Sequence, residues 1–134
     1  MSNDGKKNLT AADDAAMRTV DMSAGIRFAD LRNGDVIGIV TENHRYDLAI
    51  VDLREAKVRI VGKGTAFFAA PATVTLHGSS LGGTRACLSG WIGLGHRLLL
   101  SHPEQPWNDV ILSRTKEIHL NGFKVLPHDG GMVH

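Results

Sequence analysis

From Thr73 to Ser101 the chain reads TVTLHGSSLGGTRACLSGWIGLGHRLLLS, three runs of strand-forming residues separated by two glycine-marked breaks. Closely spaced glycines admit the positive φ that tight hairpins need, so Leu81-Gly82-Gly83 and Gly93-Leu94-Gly95 predict two antiparallel turns. Side chains alternate between the faces of a strand. A first hairpin symmetric about Gly82 sets His77 opposite Cys87, Thr75 opposite Ser89 and Thr73 opposite Trp91. A second centred on Leu94 sets Trp91 opposite Arg97 and Leu88 opposite Leu100. In these registers Val74, Leu76, Leu88, Ile92, Leu98 and Leu100 share an apolar face. Thr73, Thr75, His77, Cys87, Ser89, Trp91 and Arg97 share a polar one. A slip of one residue would send the apolar set to the wrong side.

The flanks extend the same pattern. Val36 to Val40 is apolar on both faces, Tyr46 to Leu53 is a second strand, and Lys57 to Val61 alternates charged with apolar residues. Downstream, 102–109 reads as a loop with two prolines and an exposed Trp107. Val110 to Ser113 and Glu117 to Leu120 are the closing strands, and Asn121-Gly122 ends them. With 134 residues the chain is one domain's length, and at 43% hydrophobic it can bury a core. Aromatic residues are only 5%, so that core is aliphatic. The expected fold is all-β: a small antiparallel β-barrel or two-layer β-sandwich over residues 26–122, with roughly six to eight strands. An N-terminal arm, 1–25, precedes it and a C-terminal tail, 123–134, follows. Thr10-Ala11-Ala12-Asp13 matches a capping-box spacing, which predicts a short helix over 11–20 or else a flexible arm.

Asp21-Met22-Ser23-Ala24-Gly25 resembles the DxSxxG signature of cyclic-di-nucleotide-binding PilZ barrels. Its glycine comes one residue early, and Lys6, Lys7 and Arg18 do not make the RxxxR stretch that precedes that signature. The chain is therefore not assigned to that family.

Other letter patterns reduce to turn chemistry. Gly62-Lys63-Gly64-Thr65 lacks the strand, loop and helix context of a phosphate loop. Gly78-Ser79-Ser80-Leu81-Gly82 fits G-x-S-x-G, but a strand follows where the nucleophile elbow requires a helix. Seven histidines stand without HxxxH, HxH or HExxH spacing, and one cysteine supplies no thiolate cluster, so neither metal nor cofactor is expected. A single cysteine also forms no intramolecular disulfide. The first twenty residues lack a signal-peptide core and no run is long enough for a membrane span, so a cytoplasmic setting away from membranes is expected. A formal charge of +1 offers no strong field for phosphates, which disfavours nucleic-acid binding.

These exclusions leave a non-catalytic interaction or assembly module as the leading expectation, one that self-associates as a homo-oligomer or holds a protein partner. The candidate surface is Thr75, His77, Cys87, Trp91 and Arg97 together with Trp107, because Trp and Arg dominate interface hot spots. Arg97 over the Trp91 ring would add a cation–π contact worth about 0.5–1 kcal/mol. One alternative is a barrel binding a small molecule or oligonucleotide. Another is an enzyme in which His77 activates the Cys87 thiol.

Overall fold

The period-two alternation is realised as strands throughout. The structure is a computed structural model that describes residues 20–65, 68–82 and 86–127. All but the last residue of the helix expected over 11–20 lies outside them. Eleven strands occur among the described residues: β1 (Gly25–Arg27), β2 (Val36–Val40), β3 (Arg45–Asp52), β4 (Lys57–Lys63), β5 (Ala72–Ser80), β6 (Cys87–Ser89), β7 (Trp91–Gly93), β8 (Arg97–His102), β9 (Gln105–Arg114), β10 (Glu117–Leu120) and β11 (Phe123–Leu126). Single 3-10 turns at Met22–Ala24, Phe28–Asp30 and Leu53–Glu55 make the corners.

Two antiparallel sheets result. The larger runs β11-β10-β2-β3-β4-β5-β8-β9, with β6 paired beside β5, and the smaller is β1 with β7. No closed ring of strand pairs forms among the described residues; β9 and β11 end the large sheet. Inward residues from eight of its strands, among them Ile37, Ile39, Leu48, Ile60, Val74, Leu100, Leu112, Ile118 and Leu126, join Ile92 of β7 in one buried cluster. Among the described residues no long helix covers the apolar face, and the inward side chains of these strands pack against one another. Among the described residues no helix is long and apolar enough to cross a membrane.

The central meander departs from its expected register. Ser80 pairs with Cys87, Ser79 with Leu88 and Gly78 with Ser89, so His77 does not face Cys87. The second hairpin is absent, because β8 pairs directly with β5 while β7 pairs with β1. Gly90, at φ 72, bends a run that would otherwise be one strand and sends its two halves to different sheets. Gly78, at φ 140, sits beside a register shift in β5 and comes so close to the Leu88 carbonyl that no side chain fits. The inward set still holds for Val74, Leu76, Ile92, Leu98 and Leu100, whereas Leu88 is only half-buried.

Two boundaries also move. The loop expected over 102–109 is shorter, since β9 begins at Gln105 and includes Trp107. Pro106 is tolerated there because β9 is an edge strand, where a missing N–H removes no interior ladder bond. At the other end, Asn121 (φ 52) and Gly122 (φ 90) form a two-residue turn with positive φ at both positions. That is the hairpin geometry of a type I′ turn, so β11 folds back on β10 rather than trailing as a tail. The Asn121 carboxamide accepts from the Val36 N–H at 2.9 Å and donates to Asp35 at 3.1 Å, fixing the turn to the start of β2.

Candidate functional site

The expected polar surface divides once its residues are placed. Trp91 is 2% exposed, and its indole N–H donates to the Met22 carbonyl at 3.1 Å. Its ring stands edge-on to His96, with centroids 5.4 Å apart, and fills the space beside Gly25 and Gly93. It is a packing residue joining β7 to the chain before β1, not part of a solvated face. Arg97 lies across from Ser80 and Arg114, and Trp91 across from Arg27, so the expected Trp91–Arg97 pairing does not form. Thr75 is half-buried in register with Lys57 and Ser101. The side chain of Trp107 lies outside the described part of the structure.

His77 and Cys87 have separate surroundings. The His77 Nε2 is 2.7 Å from the Ser101 hydroxyl. Cys87 has Ser89 Oγ at 3.9 Å as a weak partner. Burial pushes its thiol up, the Ser89 contact opposes this in part, and the charge of Asp109 adds to it. A thiol so shifted holds less thiolate at neutral pH, which works against a nucleophilic role.

Sequence reasoning missed Ser101, which lies 24 positions from His77 with no local motif to join them. A hydroxyl in hydrogen-bond reach of an imidazole is the composition of a nucleophile–base pair. Here, however, Ser101 is 2% exposed, so its oxygen is closed to a substrate carbonyl and the pair serves as a polar tie between β5 and β8. Among the described residues no three His, Cys, Asp or Glu side chains converge as a metal-ligand set.

Among the described residues, two surface clefts bear on the question of a site. One, of about 580 Å³, is lined by Lys57, Thr73, His102, Pro103, Glu104 and Gln105, and its lysine is already ion-paired with Glu55 at 3.4 Å. The other, of about 470 Å³, is lined by Ser80, Gly82, Gly95, His96, Arg97 and Arg114, with no carboxylate among them. This second cleft lies at one end of a transverse row in which Ser80 of β5 faces Arg97 of β8, which faces Arg114 of β9.

The backbone holds that row in place. Gly95 N–H donates to the Thr115 carbonyl at 2.8 Å, and Thr115 N–H donates to the His96 carbonyl at 2.9 Å. These bonds tie the turn before β8 to the end of β9 and hold Arg97 beside Arg114. Gly82 (φ 64) and Gly95 (φ 81) make the bordering turns and leave open space where a Cβ would project.

Like charges directly opposite on a sheet are destabilising. Among the described residues neither guanidinium has a carboxylate partner. Burial first, and then the charge of Arg114, hold the His96 imidazole below its ordinary 6.5. His96 is therefore neutral at physiological pH and brings a hydrogen-bonding edge without a third positive charge. The cleft offers two planar cationic forks and an imidazole. That is equipment for holding an anion. Sequence reasoning selected Arg97 but passed over Arg114, which falls between the two closing strands read from the pattern. No family model, curated protein or solved structure matches this chain.

Proposed function

We propose that this protein is a non-catalytic binding module that takes an anionic ligand or partner group in the cleft between Ser80, His96, Arg97 and Arg114. The observation that carries this reading is the direct cross-strand pairing of Arg97 with Arg114 at a cleft with no acidic residue in its lining among the described residues. A juxtaposition that weakens the free sheet becomes favourable once an anion bridges it. The test is thermal unfolding of the full chain in chloride and in multivalent oxyanions at constant ionic strength. A ligand at about 100 times its Kd adds about 2.7 kcal/mol of stability. Sulfate and phosphate also stabilise proteins by exclusion from their surfaces, so the comparison is with the Arg97→Ala, Arg114→Ala double variant. A gain confined to the wild type supports the reading, and an equal gain in both removes it.

A second reading, self-association, has one observation in its favour. Phe123 is 76% exposed on β11, which has a neighbouring strand on one side only among the described residues. Unpaired edges with exposed apolar side chains are templates for pairing with another copy. Native mass spectrometry of the wild type and Phe123→Lys decides it: a wild-type oligomer that the variant loses supports pairing through β11, and a wild-type monomer excludes it.

A further inference from the structure

We infer that the anion taken between Arg97 and Arg114 is a compact phosphoryl dianion, a free phosphate or the terminal group of a phosphate monoester. This rests on the anion-binding reading above and narrows it by charge, oxygen count and lining. Arg97 and Arg114 are cross-strand partners that both line the cleft and His96 adds no charge, so among the described residues the cleft carries two positive charges for the ligand to offset. A monoanion would leave one of them uncompensated.

Oxygen count gives the second constraint. Each guanidinium is a rigid fork that binds two oxygens in its plane. A single carboxylate has two oxygens and saturates one fork. A phosphate monoester has three terminal oxygens carrying close to two charges, enough to be shared between two forks. A phosphodiester keeps only two such oxygens and one charge.

The lining supplies the third. Among the described residues, apart from His96 no aromatic side chain borders the cleft, and no large apolar one does. A nucleobase or acyl chain would find no stacking or greasy surface, so recognition centres on the phosphoryl group. The cleft volume of about 470 Å³ nonetheless leaves room for a small organic substituent beyond it.

The experiment is isothermal titration of the full-length protein with inorganic phosphate, methyl phosphate, dimethyl phosphate and malonate. It is run at constant ionic strength and about pH 8, where a phosphate monoester, with its second pKa of about 6, is a dianion and inorganic phosphate is mostly one. Inorganic phosphate, methyl phosphate or both should bind at least about tenfold more tightly than dimethyl phosphate or malonate, a difference of about 1.4 kcal/mol. Similar affinities for the two phosphates identify the phosphoryl group itself as the ligand, and a preference for methyl phosphate identifies an ester. Arg97→Lys and Arg114→Lys keep the charge but lose the fork, and each should weaken phosphate binding about tenfold. Both arginines are exposed, and unfolding midpoints close to wild type confirm that the variants fold.

Malonate or dimethyl phosphate binding as tightly as methyl phosphate overturns the phosphoryl assignment and leaves the anion-binding function standing. Lysine variants that bind like the wild type overturn it too, because charge alone would then suffice. If no anion binds the wild type, both readings fall.

Discussion

The indole of Trp91 occupies the space that a Cβ on Gly93 would need, and Gly25 faces the same ring from the paired strand. Gly25 has an extended backbone, φ −156, and Gly93 has no positive φ, so both glycines are required by sterics and not by conformation. Overpacking a filled interior costs about 1–3 kcal/mol, which is the loss expected for Gly93→Ala in denaturant unfolding. Trp91→Ala should cost about 3–5 kcal/mol. The double variant should lose less than the sum, because the new methyl then has no ring to meet. Strictly additive losses would show that Gly93 and Trp91 are not coupled in this way.

Thr115 supports the cleft through its backbone, yet its buried hydroxyl has no hydrogen-bond partner among the described residues. Leaving such a group unsatisfied carries its desolvation cost, and an isosteric apolar replacement removes it. Thr115→Val should therefore be neutral or stabilising by up to about 1 kcal/mol, read from the urea midpoint at unchanged slope. A loss of more than about 1 kcal/mol would mean that the hydroxyl has a partner in solution.

Cys87 should react with a disulfide reagent at neutral pH more slowly than free cysteine, because burial holds its thiol above the ordinary value of 9.0. The rate should keep rising as pH increases past that value. A reaction faster than free cysteine at neutral pH would restore the thiol nucleophile as a functional reading.

His96 links the cleft to pH. Its folded value lies below 6.5, so as pH falls past 6.5 the unfolded chain takes up the proton first. The stability associated with neutral His96 is present above that point and is lost as pH falls through the lower folded value. Unfolding midpoints of the wild type and His96→Gln should diverge with pH in this sense, the wild type losing more between about pH 7 and pH 5. Arg114→Ala should raise the His96 titration seen by NMR, although burial, the larger cause, will still hold it down. A titration unchanged in that variant would place Arg114 too far away to act on the imidazole.

Much of the fold is legible before any coordinates. Val58 and Ile60, Val74 and Leu76, and Leu98 and Leu100 all point inward as their alternation predicts, since a strand with one covered face can satisfy its apolar residues in only one parity. The all-β class follows from the same repetition. Function is less legible. Trp91 has the composition of an interface residue and turns out to be core, because its large ring finds a niche made by two distant glycines. Arg114 reads as a break between closing strands, and only its partner across the sheet makes it part of a site.

What the sequence by itself determined is parity: which side chains point in, where glycine permits a turn, and that an aliphatic β core forms. What only the tertiary structure decided is partnership. Shifting a strand by two residues preserves every inward and outward assignment, so alternation alone cannot choose between neighbouring registers. The choice falls to contacts between segments far apart in the chain: Ile92 in the common core, Trp91 against Gly25, and the backbone bonds from Gly95 and His96 to Thr115. Those contacts set Arg97 beside Arg114, and with them the candidate site.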